Sequence, residues 1–212
     1  MIKQLVKGRV AVFIYESGTL PDSRDKIIVI AAVGTKTPER LEKIIKEIQA
    51  QTKLKKRAGE LKFYTAGDKT KRLFFERIAK EEINIFILSV DKMGRKITDN
   101  YENYAVLCWI LLEDVFSFYK EVWQIIIDRH FSKLQDINNF NNLLEDLLQR
   151  SLKVMHVDSK KDKKVNGADM IAGAVLAKET GKEKEFYKLM KNKIVSERRL
   201  NWPTAKRRLF EQ

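Results

Sequence analysis

Four carboxylates stand at positions where a folded chain could use them for chemistry. Glu16 follows the apolar, β-branched run Val10-Ala11-Val12-Phe13-Ile14-Tyr15 and precedes Ser17-Gly18. Asp128 closes Ile125-Ile126-Ile127, Glu60 lies in Gly59-Glu60-Leu61-Lys62, and Asp169 comes after a polar, basic loop, in Ala168-Asp169-Met170. Functional groups of an open α/β sheet gather at strand ends and in the loops beside them. Acids converging there can hold Mg²⁺ or Mn²⁺, hard cations that prefer oxygen ligands. Two such ions about 3.5–4 Å apart can activate a water and stabilise the leaving oxygen in phosphodiester cleavage. Three of the acids have plainer readings as well. Glu16 could be a turn residue, Glu60 could pair with Lys62, and Asp169 could be a helix N-cap. Asp128 is harder to dismiss, since it is an acid aimed at the exit of a fully apolar strand.

Other reactive side chains carry less. His130 and His156 are the only histidines, and their separation of 26 positions is no metal-ligand spacing. His130 lies two residues beyond Asp128, so it could assist a phosphate or a water, or be a polar strand-end group. Cys108 falls within an apolar helical run and reads as a core residue. The single cysteine excludes a disulfide framework and a cysteine-based zinc site. No Walker-type loop or Gly-rich dinucleotide fingerprint follows a strand, and Ser17 lacks the Gly-x-Ser-x-Gly context of a serine hydrolase.

The elements that must position these groups can be read from periodicity. Residues 10–15 and Ile27 to Val33 form apolar strands joined by a Pro21-Asp22-Ser23 loop, which favours antiparallel pairing. Thr37 as N-cap, Pro38 at the first helical position and Glu39 in the first turn open a helix bearing Leu41, Ile44, Ile45 and Ile48. A basic stretch, Lys53-Leu54-Lys55-Lys56-Arg57, leads to Glu60. Asp68 caps a second helix running to about Glu82. Ile83 to Val90 is a strand, and Tyr101 to Lys120 a helix too broadly apolar for the surface. Val122 to Ile127 is the next strand, Asp136 to Leu152 an amphipathic helix, and Val154 to Val157 a short strand. Gly167 to Ala174 reads as a small-residue helix packed closely on its neighbours, and Glu183 to Lys193 as a final helix. Early strands as a hairpin, then strands alternating with helices, predict an α/β mixed sheet with helices on both faces.

Charge adds a partner class. The chain carries 42 Lys and Arg against 29 Asp and Glu, a formal charge of +13 over 212 residues. Residues 1–67 hold 14 basic and 7 acidic groups, residues 68–149 hold 11 and 14, and residues 150–212 hold 17 and 8. Two basic ends around a mildly acidic middle fit a polyanion partner, through counterion release, and equally a Lys-rich solvated surface. The longest apolar run, Tyr104 to Leu112, is far short of the roughly 20 residues of a membrane span. No signal-peptide pattern opens the chain, so the expected location is the cytoplasm, with no membrane partner.

Five segments in order resemble a known family. They are Phe13-Ile14-Tyr15-Glu16-Ser17-Gly18, Glu60-Leu61-Lys62, Ile126-Ile127-Asp128-Arg129, Asp158-Ser159-Lys160 and Ala168-Asp169-Met170-Ile171-Ala172-Gly173-Ala174. Together they resemble the family catalogued as domain of unknown function 3800. Its signatures read Tyr-Ile-Asp-Glu-Ser-Gly, Glu-Leu-Lys, a hydrophobic strand ending in Asp, and Gln-x-Ala-Asp-x-x-Ala-Gly. The resemblance implies a ribonuclease H-like domain over residues 1–180, followed by a basic helix and tail over 181–212. It implies a metal-dependent nuclease or nuclease-like protein whose partner is DNA or RNA. Glu60, Asp128 and Asp169 would hold two Mg²⁺ or Mn²⁺ ions, with Glu16 beside them and Lys62 and Ser159 at accompanying polar positions. One departure stands out: the family's first-strand Asp is replaced by Tyr15. Alternation points residues 15 and 16 to opposite faces, so Glu16 takes over only through a bulge. Loss of catalysis, an altered metal site and an engineered substitution all remain open, as does a non-catalytic nucleic-acid-binding or scaffold protein of a defence or mobile-element system.

Overall fold

The computed structural model describes residues 8–52 and 60–210. The basic stretch Lys53 to Arg57 and the opening residues 1–7 lie outside these. Six strands form one sheet in the order β5-β4-β1-β2-β3-β6. They are β1 (Val10–Ser17), β2 (Ile27–Thr35), β3 (Ile83–Asp91), β4 (Val122–Asp128), β5 (Val154–Val157) and β6 (Ile194–Asn201). β1, β2 and β3 run antiparallel in sequence, as their short connections require, while β4 pairs parallel with β1, β5 with β4 and β6 with β3. The predicted mixed sheet is present.

Strand alternation divides the core in two. Ala11, Phe13, Val29, Ala31, Val33 and Ile126 point to one face. There they meet α1 (Pro38–Gln51), α2 (Asp68–Ile78), α5 (Val165–Glu179) and α6 (Glu185–Met190). Val12, Ile14, Ile28, Ile30, Ile125 and Ile127 point to the other. That face is covered by α3 (Tyr101–Phe118), with α4 (Leu134–Leu148) and α7 (Trp202–Arg207). α3 is apolar around nearly its whole circumference because sheet and helices enclose it, and Cys108 is fully buried in it as expected.

α5 is the small-residue helix that the Gly167–Ala174 run predicts. A Cβ at Gly173 would come within 2.4 Å of the Phe63 side chain, so only glycine admits this approach. Gly18, with φ +89°, turns the chain out of β1, and a Cβ there would lie 2.6 Å from the Ile27 carbonyl.

Several boundaries differ from the sequence reading. Gly67, not Asp68, is the N-cap of α2, and the helix stops at Ile78 because residues 79–82 must turn into β3. α4 ends at Leu148, where Gln149 adopts a left-handed conformation and the amides of Gln149 and Arg150 bond back to Asp146 and Glu145. Glu183 precedes α6 and caps it, its Oε1 accepting from the Phe186 amide at 3.2 Å. The largest difference lies in residues 181–212, read as a helix and tail. They contain β6, which pairs with β3 from Ile85↔Ile194 to Asp91↔Asn201 and completes the sheet.

The basic C-terminal segment is also less free than its charge implies. Arg198 and Arg208 reach Glu113 at 3.4 and 2.8 Å, Arg198 also engages Asp114, and Arg199 reaches Glu179 at 3.3 Å. Glu113 and Asp114 of the mildly acidic middle thus pair with Arg198 and Arg208 of the cationic end, while Glu179 of that end pairs with Arg199. No helix among the described residues is long and apolar enough to cross a membrane.

Candidate functional site

β1, β4 and β5 end side by side, and the parallel register pairs Phe13 with Ile126 and Ile14 with Ile127. One step further sets Tyr15 beside Asp128, on the face covered by α5. Asp169 belongs to that helix, but in its second turn rather than at its cap: the helix starts at Val165, and the Asp169 carboxylate accepts from the Phe63 amide at 2.9 Å. Glu60 comes to the same place. Its Oε1 accepts from Ser159 Oγ at 2.7 Å, and Lys62 Nζ lies 3.4 Å from its Oε2. The Ser159 amide donates to Asp128 Oδ1 at 3.1 Å. Ser159 thus ties Glu60 to Asp128, and the 60–63 segment ties both to Asp169.

Burial sets the electrostatics. Burial pushes the Asp128 carboxyl up to about 6, with the Glu16 charge adding to the effect. Burial raises Asp169 to about 6 as well, against the Phe63 amide, Tyr15 and Lys62, which favour its charged form. The Tyr15 hydroxyl lies close to the Asp169 carboxylate, and burial plus the Asp169 charge hold the phenol well above its ordinary range. The first-strand position is therefore filled by a neutral donor among acids.

Glu16 lies on the other face. Its carboxylate accepts from Tyr104 Oη at 2.8 Å and sits 2.9 Å from His130 Nδ1, whose Nε2 is 2.6 Å from Asp99 Oδ1. The His130 ring stacks on Tyr104 with centroids 4.2 Å apart and planes 6° from parallel. Burial disfavours the imidazolium, but the Glu16 and Asp99 carboxylates outweigh it and lift His130 to about 9. Burial likewise raises Glu16, and His130 and Tyr104 more than reverse that, leaving it below its usual value. Asp99 and Tyr104 were not anticipated from sequence. The signal that could have found them is alternation itself, which sends Glu16 away from Tyr15 toward the apolar helix containing Tyr104.

So the site brings Glu60, Asp128 and Asp169 together on one face, and Glu16 separately on the other. The donor chemistry suits a hard divalent cation, being carboxylate oxygen throughout. The arrangement does not. Among the described residues, no three His, Cys, Asp or Glu side chains form a group able to hold a metal ion. Tyr15, Ser159 and Lys62 take up contacts that a cation would need.

The loops at this end of the sheet carry exposed cations: Lys26, Arg95, Lys96, Arg129, Lys160 and Lys161. Beside the acids, a hollow of about 330 Å³ is lined by Arg129, Lys161 and Lys164, with Glu42, Asp158 and Asp162. Lys164 pairs with Asp162 at 3.1 Å and Glu42 at 3.7 Å, which leaves Arg129 and Lys161 as its positive groups without an ion-pair partner among the described residues.

No protein-family model matches the sequence, and no curated protein does either. Solved structures do match. The ribonuclease H2 crystal structure from Pyrococcus horikoshii OT3 superposes with a TM-score of 0.53 at 18% identity, over 86% of this chain and 76% of that one. A ribonuclease HII from Archaeoglobus fulgidus, solved in complex with PCNA, gives 0.48 at 18% identity with the same coverage. The likeness to the Pyrococcus enzyme is one of architecture: this chain has a ribonuclease H-like fold.

Proposed function

We propose that this chain is a nuclease-like protein that binds nucleic acid at the sheet end where Asp128, Asp169 and Glu60 meet, and that Tyr15 impairs its cleavage. The observation that carries the reading is the Tyr15–Asp169 contact on the acid-lined face, in a fold shared with a ribonuclease. An acid at position 15 would add the carboxylate that the family resemblance expects. The three acids, joined by that fourth, would suit Mg²⁺ or Mn²⁺, ions that when bound supply an activated water and charge neutralisation. With Tyr15 in place, the remaining groups bind and orient rather than cleave. Exposed cations around the acids would contact backbone phosphates, so affinity should fall with salt. Glu16 acts here as the partner of His130 and Tyr104. In this reading the chain is kin to the family catalogued as domain of unknown function 3800.

Comparing the native chain with Tyr15→Asp tests this. Both should bind labelled oligonucleotides in a salt-sensitive way. Tyr15→Asp should gain Mn²⁺-dependent cleavage of single-stranded, duplex or hybrid substrates, and adding Asp128→Asn should abolish the gain. A native chain that cleaves with Mn²⁺ and loses activity with Asp128→Asn would favour a second reading, an active nuclease with an altered metal site. The raised carboxyls of Asp128 and Asp169 favour that alternative, since a cation would relieve them. Absence of nucleic-acid binding at moderate salt would end both.

A further inference from the structure

An aromatic ring stands open beside the acids. Tyr64 is 60% exposed, four residues beyond Glu60 and next to Phe63. A lone exposed aromatic is ordinary on a protein surface, but this one is held. The turn beneath it is closed by the Ala66 amide donating to the Lys62 carbonyl at 2.9 Å. Phe63 is anchored twice, through its amide to Asp169 and through its ring, which packs edge-on to Phe75 and Phe186. Tyr64 meets the Phe63 ring edge-to-face at 5.9 Å. The turn and the Phe63 ring therefore limit how the Tyr64 ring can move, while most of its surface faces solvent.

We infer that Tyr64 is a stacking platform for an unpaired nucleobase, which makes single-stranded nucleic acid the preferred partner. This rests on the nucleic-acid reading of the carboxylate site and adds the strand preference to it. Base–aromatic stacking contributes about 1–3 kcal/mol per base and tolerates any base, because each presents a π-face. A ring limited in this way loses less side-chain freedom on binding. In a duplex the base faces are already stacked, so a ring of this kind gains nothing from it. Lys160 and Lys26, exposed on loops at the same end of the sheet, can contact the phosphates of the same strand.

The test compares oligothymidylate with an abasic oligomer of equal length and charge, using the native chain, Tyr64→Phe and Tyr64→Ala. The native chain should bind the base-bearing strand more tightly than the abasic one. Tyr64→Ala should lose about 5- to 150-fold for oligothymidylate, the range that stacking energy implies, with little change for the abasic strand. Tyr64→Phe should keep most of the preference, because the ring and its contact with Phe63 remain. Equal loss for both strands, or no loss for either, would overturn the stacking role while leaving nucleic-acid binding intact. A native chain that binds neither strand would overturn the stacking role together with the reading beneath it. Circular dichroism of Tyr64→Ala should match the native chain, as expected for an exposed side chain.

Discussion

The two faces of the sheet treat acids in opposite ways at the same end of β1. On the face of Glu16, every charge has a partner: His130 is held between Glu16 and Asp99, and Tyr104 both stacks on the imidazole and donates to the carboxylate. On the face of Tyr15, Asp128 and Asp169 are raised to about 6 by burial, and their partners are mainly neutral donors. One face is a finished structural network; the other holds charge that its own surroundings do not balance. Unbalanced buried charge costs stability, and folds keep it where a ligand can use it. This contrast separates Glu16 from the other three acids more firmly than its place in the chain does.

Breaking the finished network should have the largest effect. His130→Ala strands Glu16 in a buried position without its cation, and removing one partner of a buried pair costs about 3–5 kcal/mol. Denaturant titration should show a large fall in midpoint with an unchanged slope. A loss below about 1 kcal/mol would mean that the two faces are not so different. Next comes Gly173→Ala, which drives a Cβ into Phe63 and should cost about 1–3 kcal/mol by overpacking. Because Phe63 donates its amide to Asp169, the same substitution should also weaken oligonucleotide binding. Unchanged binding would show that the 60–63 segment is not coupled to the acids.

Much of this was legible in the sequence. β1 to β4 and α3 announce themselves as long apolar runs, and the α5 small-residue run predicts the close packing that Gly173 makes on Phe63. Asp128 could be placed because a fully apolar strand leads straight to it. β6 could not. Its sequence, Ile-Val-Ser-Glu-Arg-Arg-Leu-Asn, is mostly polar because it lies at the sheet edge and none of its residues is fully buried. The Glu16 network was equally hidden, since Tyr104 and His130 lie 88 and 114 positions away in the chain. Of the readings open for Asp169, the structure sets aside only the helix cap, and for a related reason. An Asp near a helix start suggests a cap, and only tertiary structure supplies the Phe63 amide that it binds instead.

On the Tyr15 face the expected effects are smaller and of opposite sign. Asp169→Asn keeps an oxygen for the Phe63 amide and a group for Tyr15, while removing a desolvated charge, so it should stabilise the fold by about 1 kcal/mol at pH 7. Thermal or chemical denaturation would show this, and a clear destabilisation would mean that the charge is compensated after all.

The sharpest test of the comparison is the dependence of stability on pH. Asp128 and Asp169 titrate near 6 in the fold instead of 3.8, so the folded state binds protons more tightly than the unfolded one. Stability must then fall as pH rises from about 4 to 6, by roughly 3 kcal/mol from the buried Asp169 at about 1.4 kcal/mol per pKa unit, with a smaller, screened share from the partly exposed Asp128. His130 titrates near 9 instead of 6.5. Its contribution is complete below pH 6.5, provided Glu16 is ionised, and is lost as pH rises toward 9. The two faces therefore act in separate windows. Asp169→Asn should flatten the acid-side slope and leave the alkaline one, while His130→Ala should do the reverse. If either substitution flattened both slopes, the faces would be one coupled network across β1, and Glu16 would rejoin the acids from which the geometry separates it.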